Sequence, residues 1–392
     1  MKTKVSTKIA ISFLIMVMCM SALLCCGVAE SEQKSSYGIS IAKTSCELDG
    51  IIYYVDFENT FRLSAYDTLT GESVSFCKDP SCLHNDECPE RVLCDQSYYI
   101  TTDGYALYMI SYVVSKGSKA VLRYDPMDGI LDELAIIEHM GGMVSKIAVD
   151  TEKNGSVYYS ELYLDDGTEY YRICQIPKQG GQPTVVVEKQ SENQSFSVYE
   201  NQLIYPELES LVFFNTEDGT IQRKDSLGGG NFIVFNGLMY FYLPLSGEAF
   251  KDTYNAYGLG VYDPKTDQMT PIVTDCIVTD AFCSAEGIAY IRDLNEYLYT
   301  REAFPGEYGE TVDVYRMNYG EYIVYDPLND TSEEVVVDDN CCISEIRGIC
   351  KNQFLGHFSM LTEDGMIDYA RNGYYGWNSE TGVMKSLSSD GT

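Results

Sequence analysis

The densest set of chemically capable side chains lies in Cys77-Lys-Asp-Pro-Ser-Cys82-Leu-His84-Asn-Asp-Glu-Cys88-Pro89, with Cys94 close behind. Three thiolates and an imidazole within 12 residues can supply the four tetrahedral donors of Zn2+, so Cys77, Cys82, His84 and Cys88 are the candidate metal ligands. The order C-x4-C-x-H-x3-C departs from standard zinc knuckles, and clustered cysteines outside the cytoplasm ordinarily pair as disulfides. Beyond Cys26 there are 11 cysteines (46, 77, 82, 88, 94, 174, 276, 283, 341, 342 and 350), an odd number that leaves at least one thiol free or metal-bound. Disulfides or free thiols on one side, and a zinc site on the other, both remain open.

A second set is acidic. Asp165-Asp166, Glu333-Glu334, Asp338-Asp339 and Glu207 with Glu209 are paired carboxylates of the kind glycosidases use for acid/base work, where the distance between the two groups decides the chemistry. Most of them stand beside Gly, Asn or Thr, in turns whose acids are ordinarily just solvated. Asp165 and Asp166, or Asp338 and Asp339, also suit Ca2+ as oxygen ligands, although neither pair follows EF-hand spacing. Histidine is scarce: only His84, His139 and His357 occur, and His139 beside Met140-Gly-Gly reads as structural. No G-x-S-x-G, H-E-x-x-H or G-x-x-x-x-G-K-[ST] motif is present, so histidine-dependent chemistry is poorly supplied and no catalytic residue is assigned.

The elements that would position these groups repeat along the chain. An aromatic or branched residue followed by an Asp, Asn or Pro turn recurs seven times, at Tyr66-Asp67, Tyr124-Asp125, Ile176-Pro177, Phe214-Asn215, Tyr262-Asp263, Tyr325-Asp326 and Trp377-Asn378, a mean interval of about 52 residues. Each is preceded by a second unit in which a Gly or Asn turn leads into alternating apolar and aromatic residues. Its copies are DGIIYYV at 49, DGYALYMI at 103, NGSVYYS at 154, ENQLIYP at 200, NGLMYFY at 236, EGIAYIR at 286 and NQFLGHF at 352. Period-two patterning with Asp-Gly and Asn-Gly punctuation predicts antiparallel hairpins. Helical periodicity of useful length is missing outside the N-terminal segment. Four short strands per repeat and seven repeats predict an all-β chain, a β-propeller of seven four-stranded antiparallel blades, with six or eight as alternatives. Residues 37–47 (YGISIAKTSCE) are the expected closing strand of the last blade. Residues 244–258 and 293–320 read as insertions on one face, where binding usually resides.

The charge balance, 27 Lys+Arg against 59 Asp+Glu for a net of −32, excludes a nucleic-acid binder working through basic surface. With 45% hydrophobic residues and 33 tyrosines the chain can bury a core, and the tyrosines are either strand residues or a stacking surface. Lys2, Lys4 and Lys8 lead into an apolar run from Ile9 to Leu24, which has the form of a secretory signal and is short for a spanning helix. Leu23-Leu24-Cys25-Cys26-Gly27 resembles the lipobox of bacterial lipoproteins, and that resemblance makes Cys26 the diacylglyceryl-modified N-terminus. The expected organisation is a signal peptide over 1–25, a polar tether over 26–45, and a propeller over 46–392 with the Cys/His insert at 77–94. Two acyl chains suffice for stable anchoring, so the expected location is the extracellular face of the membrane.

The Cys/His segment, the lipobox and the repeated G-x-x-Y-Y and Y-D-P units together resemble uncharacterised propeller-like lipoproteins of anaerobic Gram-positive bacteria, marked by C-x-D-P-x-C-x-H-x-x-x-C-P. The resemblance covers most of the chain, implies a surface propeller, and brings no reaction with it. The expected function is a lipid-anchored, non-catalytic binding or interaction module for an extracellular peptide, glycan or protein. The alternative is a secreted propeller hydrolase or lyase that acts on polysaccharide through paired carboxylates; a third reading is an envelope spacer.

Overall fold

The computed structural model describes residues 36–57, 61–74, 76, 81, 93, 96–137, 146–152, 155–165, 168–189, 195–207, 210–225, 231–246, 256–293, 303–305, 311–313, 320–326, 329, 331–335, 341–360, 362 and 368–387. Residues 1–35 form a separate unit outside this set. The alternating pattern becomes 31 strands, with only two short 3-10 turns beside them among the described residues. No helix there is long and apolar enough to cross a membrane.

The chain begins with β1 (Tyr37–Ser40), then builds seven blades in order, each an antiparallel meander. Blade 1 holds β2 (Ser45–Leu48), β3 (Ile51–Asp56), β4 (Arg62–Asp67) and β5 (Glu72–Ser73). Blade 2 holds β6 (Gln96–Thr102), β7 (Leu107–Val113), β8 (Ser118–Asp125) and β9 (Ile130–Ile137). Blade 3 holds β10 (Ile147–Val149), β11 (Ser156–Asp165), β12 (Thr168–Pro177) and β13 (Thr184–Lys189). Blade 4 holds β14 (Ser197–Tyr199), β15 (Gln202–Glu207), β16 (Ser210–Asn215) and β17 (Ile221–Asp225). Blade 5 holds β18 (Phe232–Phe235), β19 (Leu238–Pro244), β20 (Tyr257–Asp263) and β21 (Gln268–Val273). Blade 6 holds β22 (Ile277–Ser284) and β23 (Gly287–Asp293), followed by the separate hairpin β24 (Ala303–Pro305) and β25 (Thr311–Asp313), then β26 (Gly320–Asp326) and β27 (Thr331–Glu334). Blade 7 holds β28 (Cys341–Cys350), β29 (Gln353–Met360), β30 (Gly373–Asn378) and β31 (Val383–Ser386).

Each blade packs on the next, and β28 of blade 7 touches β2 of blade 1, so the series closes by packing rather than through a shared strand. The expected role of residues 37–47 is therefore corrected. Blade 7 draws all four strands from its own repeat, and β1 instead stands inside the ring. It pairs antiparallel with β2 through Ile39 and Cys46 and with β22 through Ile39 and Cys283. Gly38 permits this approach: a Cβ there would come 2.6 Å from the Phe282 ring and 2.9 Å from the Cys283 carbonyl. At its start, Tyr37 packs edge-on against Phe235 of blade 5 at 5.0 Å.

Because every blade is a four-strand meander, its connections alternate between two ends. Both repeated turn signals, from first to second strand and from third to fourth, fall at one end, the turn end. The connections from second to third strand and from blade to blade fall at the other, the loop end. The strand ends that flank the Cys/His insert (Ser73, Gln96) and the 244–258 and 293–320 insertions (Pro244 and Tyr257, Asp293 and Gly320) all belong to the loop end.

Apolar faces of neighbouring blades form the core. Phe282, Ile291 and Tyr322 of blade 6, for example, meet Ile343, Ile346, Phe354 and Trp377 of blade 7. Burial of such side chains stabilises by about 1.5–3 kcal/mol each. Tyrosines serve this core: Tyr66, Tyr108, Tyr159 and Tyr171 are fully buried.

Candidate functional site

The sequence-predicted ligands Cys77, Cys82, His84 and Cys88 lie outside the described residues, as do Cys26, Cys94, His139, Asp166, Glu209, Asp338 and Asp339. Asp165 closes β11. Five other cysteines, Cys46, Cys174, Cys276, Cys283 and Cys350, are free thiols. Burial holds the thiols of Cys46, Cys174, Cys276 and Cys283 above the usual range, where they are poor nucleophiles. Of the paired acids, Glu207 is taken by Arg223, with Nη2 2.9 Å away. Glu333 and Glu334 are neighbours on the exposed outer strand β27, so their side chains point to opposite sides of the sheet and do not converge. No group of three or more potential metal ligands occurs among the described residues.

The described residues that do come together are different ones. They lie where blades 6, 7 and 1 meet, and irregularities in the first strands aim them. In β28 the pairing with β29 slips twice, skipping Ser344 between Ile343 and Glu345 and Arg347 between Ile346 and Gly348. In β22 it slips once, between Val278 and Asp280. A β-bulge bends its strand and redirects a side chain, and bulges gather beside active sites.

The second bulge carries Arg347, only 2% exposed. Its Nη1 donates to Thr44 Oγ1 at 2.6 Å and its Nη2 to Tyr374 Oη at 3.2 Å, while Nη2 also donates to Glu345. The guanidinium stacks 5.1 Å from the Phe57 ring centre, and its Nε is buried with no hydrogen-bond partner. Burial works against its charge, but Tyr374, Glu345 and Asp280 more than offset that. Asp280 accepts from the amides of Ile346 at 2.8 Å and Ala281 at 2.9 Å. Burial pushes its carboxyl up to about 6, with Arg347 pulling the other way.

The first bulge carries Ser344, whose Oγ lies 2.7 Å from His357 Nδ1 and donates to the His357 carbonyl oxygen at 3.2 Å. The His357 ring stands edge-on to Tyr374 at 5.2 Å, so one tyrosine touches both the imidazole and the guanidinium. Glu345, next to Ser344, remains 40% exposed while bound to Arg347. A hydroxyl within hydrogen-bond reach of an imidazole is the first half of a nucleophile–base pair, the second being a group that orients the imidazole.

Sequence reading missed this group because no motif marks it. One trace of it is visible: Ile343, Ile346 and Ile349 are the buried apolar positions of β28, spaced by three rather than two. Each interval of three is an alternating strand with one extra residue.

No family model and no curated protein matches the sequence. Solved structures do match in fold. A prolyl endopeptidase superposes with a TM-score of 0.51 at 12% identity, over 90% of this chain and 49% of its own. An acylaminoacyl peptidase, solved with Z-Gly-Gly-Phe-chloromethyl ketone, gives 0.52 at 10% identity, over 87% and 51%. The acylaminoacyl peptidase of Pyrococcus horikoshii gives 0.51 at 9%, over 87% and 51%. The chain thus spans about half the length of these proteins, and at such identities the likeness is one of fold. The expectation of a non-catalytic binding or interaction module is corrected by these comparisons: the three structures named above are peptidases. The hydrolase alternative agrees with them better, and the exposed, diverging Glu333 and Glu334 do not support its paired-carboxylate, polysaccharide form.

Proposed function

We propose that this chain is the propeller of a peptide hydrolase and that peptide is engaged at the loop end, where blades 6, 7 and 1 meet. The observation that carries the reading is the 2.7 Å contact between Ser344 Oγ and His357 Nδ1 beside a buried guanidinium. In this reading Ser344 is the nucleophile: its hydroxyl hydrogen turns from the His357 carbonyl to His357 Nδ1 and passes to it as Oγ adds to the scissile carbonyl, His357 returns that proton to the amine as the C–N bond breaks, and a water deprotonated by His357 then cleaves the acyl-serine ester, freeing the acid and Ser344. Tyr374 packs the imidazole and Arg347 fixes Tyr374, so both are positioning residues. Glu345, held by Arg347 and part-exposed, offers a carboxylate to a cationic group on the peptide. The substrate class is taken from the peptidases that share the fold. Cys26 lipidation would hold the enzyme at the extracellular face of the membrane, and Cys77, Cys82, His84 and Cys88 would form a zinc site or a disulfide staple.

The test is incubation of the full chain, solubilised in detergent, with a defined peptide library read by mass spectrometry. Cleavage is expected, and it should fall at least 100-fold in Ser344→Ala and in His357→Gln. Absence of cleavage by the unaltered chain overturns the reading. Cleavage that survives Ser344→Ala keeps the peptidase and removes the Ser344–His357 pair from it.

A further inference from the structure

The axis of the propeller contains a second feature that peptide cleavage does not use. Below β1 the chain turns at Lys43, whose φ of +59° is the left-handed conformation that non-glycine residues seldom adopt. The turn sends the Lys43 side chain into the ring, where it is 5% exposed and lines a cavity of about 20 Å3. The cavity wall comes from β1 and from blades 2 to 5, including Thr101, Thr102, Thr151, Ser197 and Val234. Lys43 Nζ donates to the Phe196 carbonyl at 2.5 Å and sits 5.2 Å from that residue's ring centre. An ammonium has three hydrogens to donate, so two remain after this bond.

Among the described residues no carboxylate forms an ion pair with Lys43, and the charge that does act on it is another cation, Lys146, whose own Nζ lies 4.5 Å from the centre of the Tyr99 ring. Burial, reinforced by Lys146, pushes the Lys43 ammonium down to about 7. A buried cation sheds its cost by losing its proton or by taking a counter-ion, and below about pH 7, where Lys43 keeps its charge, the counter-ion is what offsets it. The hydroxyls sort themselves accordingly. Thr102 Oγ1 is committed, donating to the Ala106 carbonyl at 2.8 Å and accepting from the Gly104 amide at 3.1 Å. Ser197 Oγ accepts from the Val234 amide at 3.1 Å, which leaves its hydrogen for a further acceptor.

We propose that the axial cavity binds a single halide ion, chloride in practice, held by Lys43 and the Ser197 hydroxyl. Size selects the class: about 20 Å3 accommodates one water-sized species and excludes sulfate, phosphate and carboxylates. Charge selects against water alone, since water leaves the Lys43 ammonium without a counter-ion. In a chain of net charge −32 this is a spot of opposite sign, made by the buried Lys43 on a cavity that Ile39 of β1 also lines. The site is independent of the proposed hydrolase chemistry.

Thermal unfolding of the full chain should be followed in sodium chloride, sodium bromide, sodium gluconate and sodium sulfate at matched ionic strength. Tm is expected to rise by several degrees with increasing chloride or bromide relative to gluconate, beyond any change the same salts give Lys43→Met, with sulfate reporting the effect of an excluded anion. Lys43→Met should abolish that halide dependence and keep only the general salt effects, such as the stabilisation by excluded sulfate, that any protein shows. Equal Tm of the unaltered chain in chloride and gluconate overturns the proposal, as does a halide effect that persists in Lys43→Met. Should Lys43→Met fail to fold, bromide-soaked crystals of the unaltered chain decide the matter: an anomalous peak beside Lys43 Nζ supports the site, and an empty cavity refutes it.

Discussion

Lys178 and Arg347 are both buried cations set between blades, yet their surroundings differ in one respect. At the turn end, Lys178 Nζ lies 2.5 Å from Asp103 Oδ2 and also donates to the Glu152 carbonyl, joining blades 2 and 3. Asp103 in turn accepts from the amides of Tyr105 and Ala106 and from the Tyr108 hydroxyl. Both side chains are at most 3% exposed, so the pair is closed on every side. Arg347 is as deeply buried, but its partner Glu345 is 40% exposed, its Nε has no partner, and the Phe57 ring stacked on it is 39% exposed. A closed pair can only hold blades together. An open one, on bulged strands beside a serine–histidine contact, has capacity left for a ligand.

That contrast can be broken by substitution. Lys178→Met strands a buried carboxylate and should cost about 3–5 kcal/mol in urea unfolding, while peptide cleavage at permissive temperature stays unchanged. Loss of cleavage there in a folded variant would erase the distinction between the two ends. Arg347→Met should cost less, about 1.5–3 kcal/mol, yet depress cleavage strongly. Its cost should also depend on pH. The folded Asp280 carboxyl, at about 6, is above its ordinary value of 3.8, so the folded state holds that proton more tightly and stability falls as pH rises from about 4 through 6. Without Arg347 the carboxyl rises further, so the variant should lose more stability at pH 8 than at pH 5. Equal losses at the two values would show that Arg347 and Asp280 do not act on one another.

The fold was legible because its two turn signals are local chemistry. Tyr66-Asp67 and Asp49-Gly50 announce their hairpins within a few residues, and the same holds in every blade. The position of β1 was not, because nothing in YGIS says whether a strand completes a blade or stands inside the ring; that depends on Gly38 meeting Phe282, more than 240 residues away. The site was hidden for a related reason. Ser344 and His357 are ordinary strand residues until a bulge turns one toward the other, and Thr44, Asp280 and Tyr374 reach Arg347 only once blades 1, 6 and 7 have packed. Acidic doublets such as Glu333-Glu334 attract the eye in a sequence, but in a strand adjacent residues face apart.

The central claim, an activated Ser344 at the loop end, is tested most directly by treating the full chain with a fluorophosphonate and mapping the adduct by peptide mass spectrometry. Stoichiometric modification of Ser344, lost in His357→Gln, is expected. No adduct, or an adduct on a different serine, would contradict it.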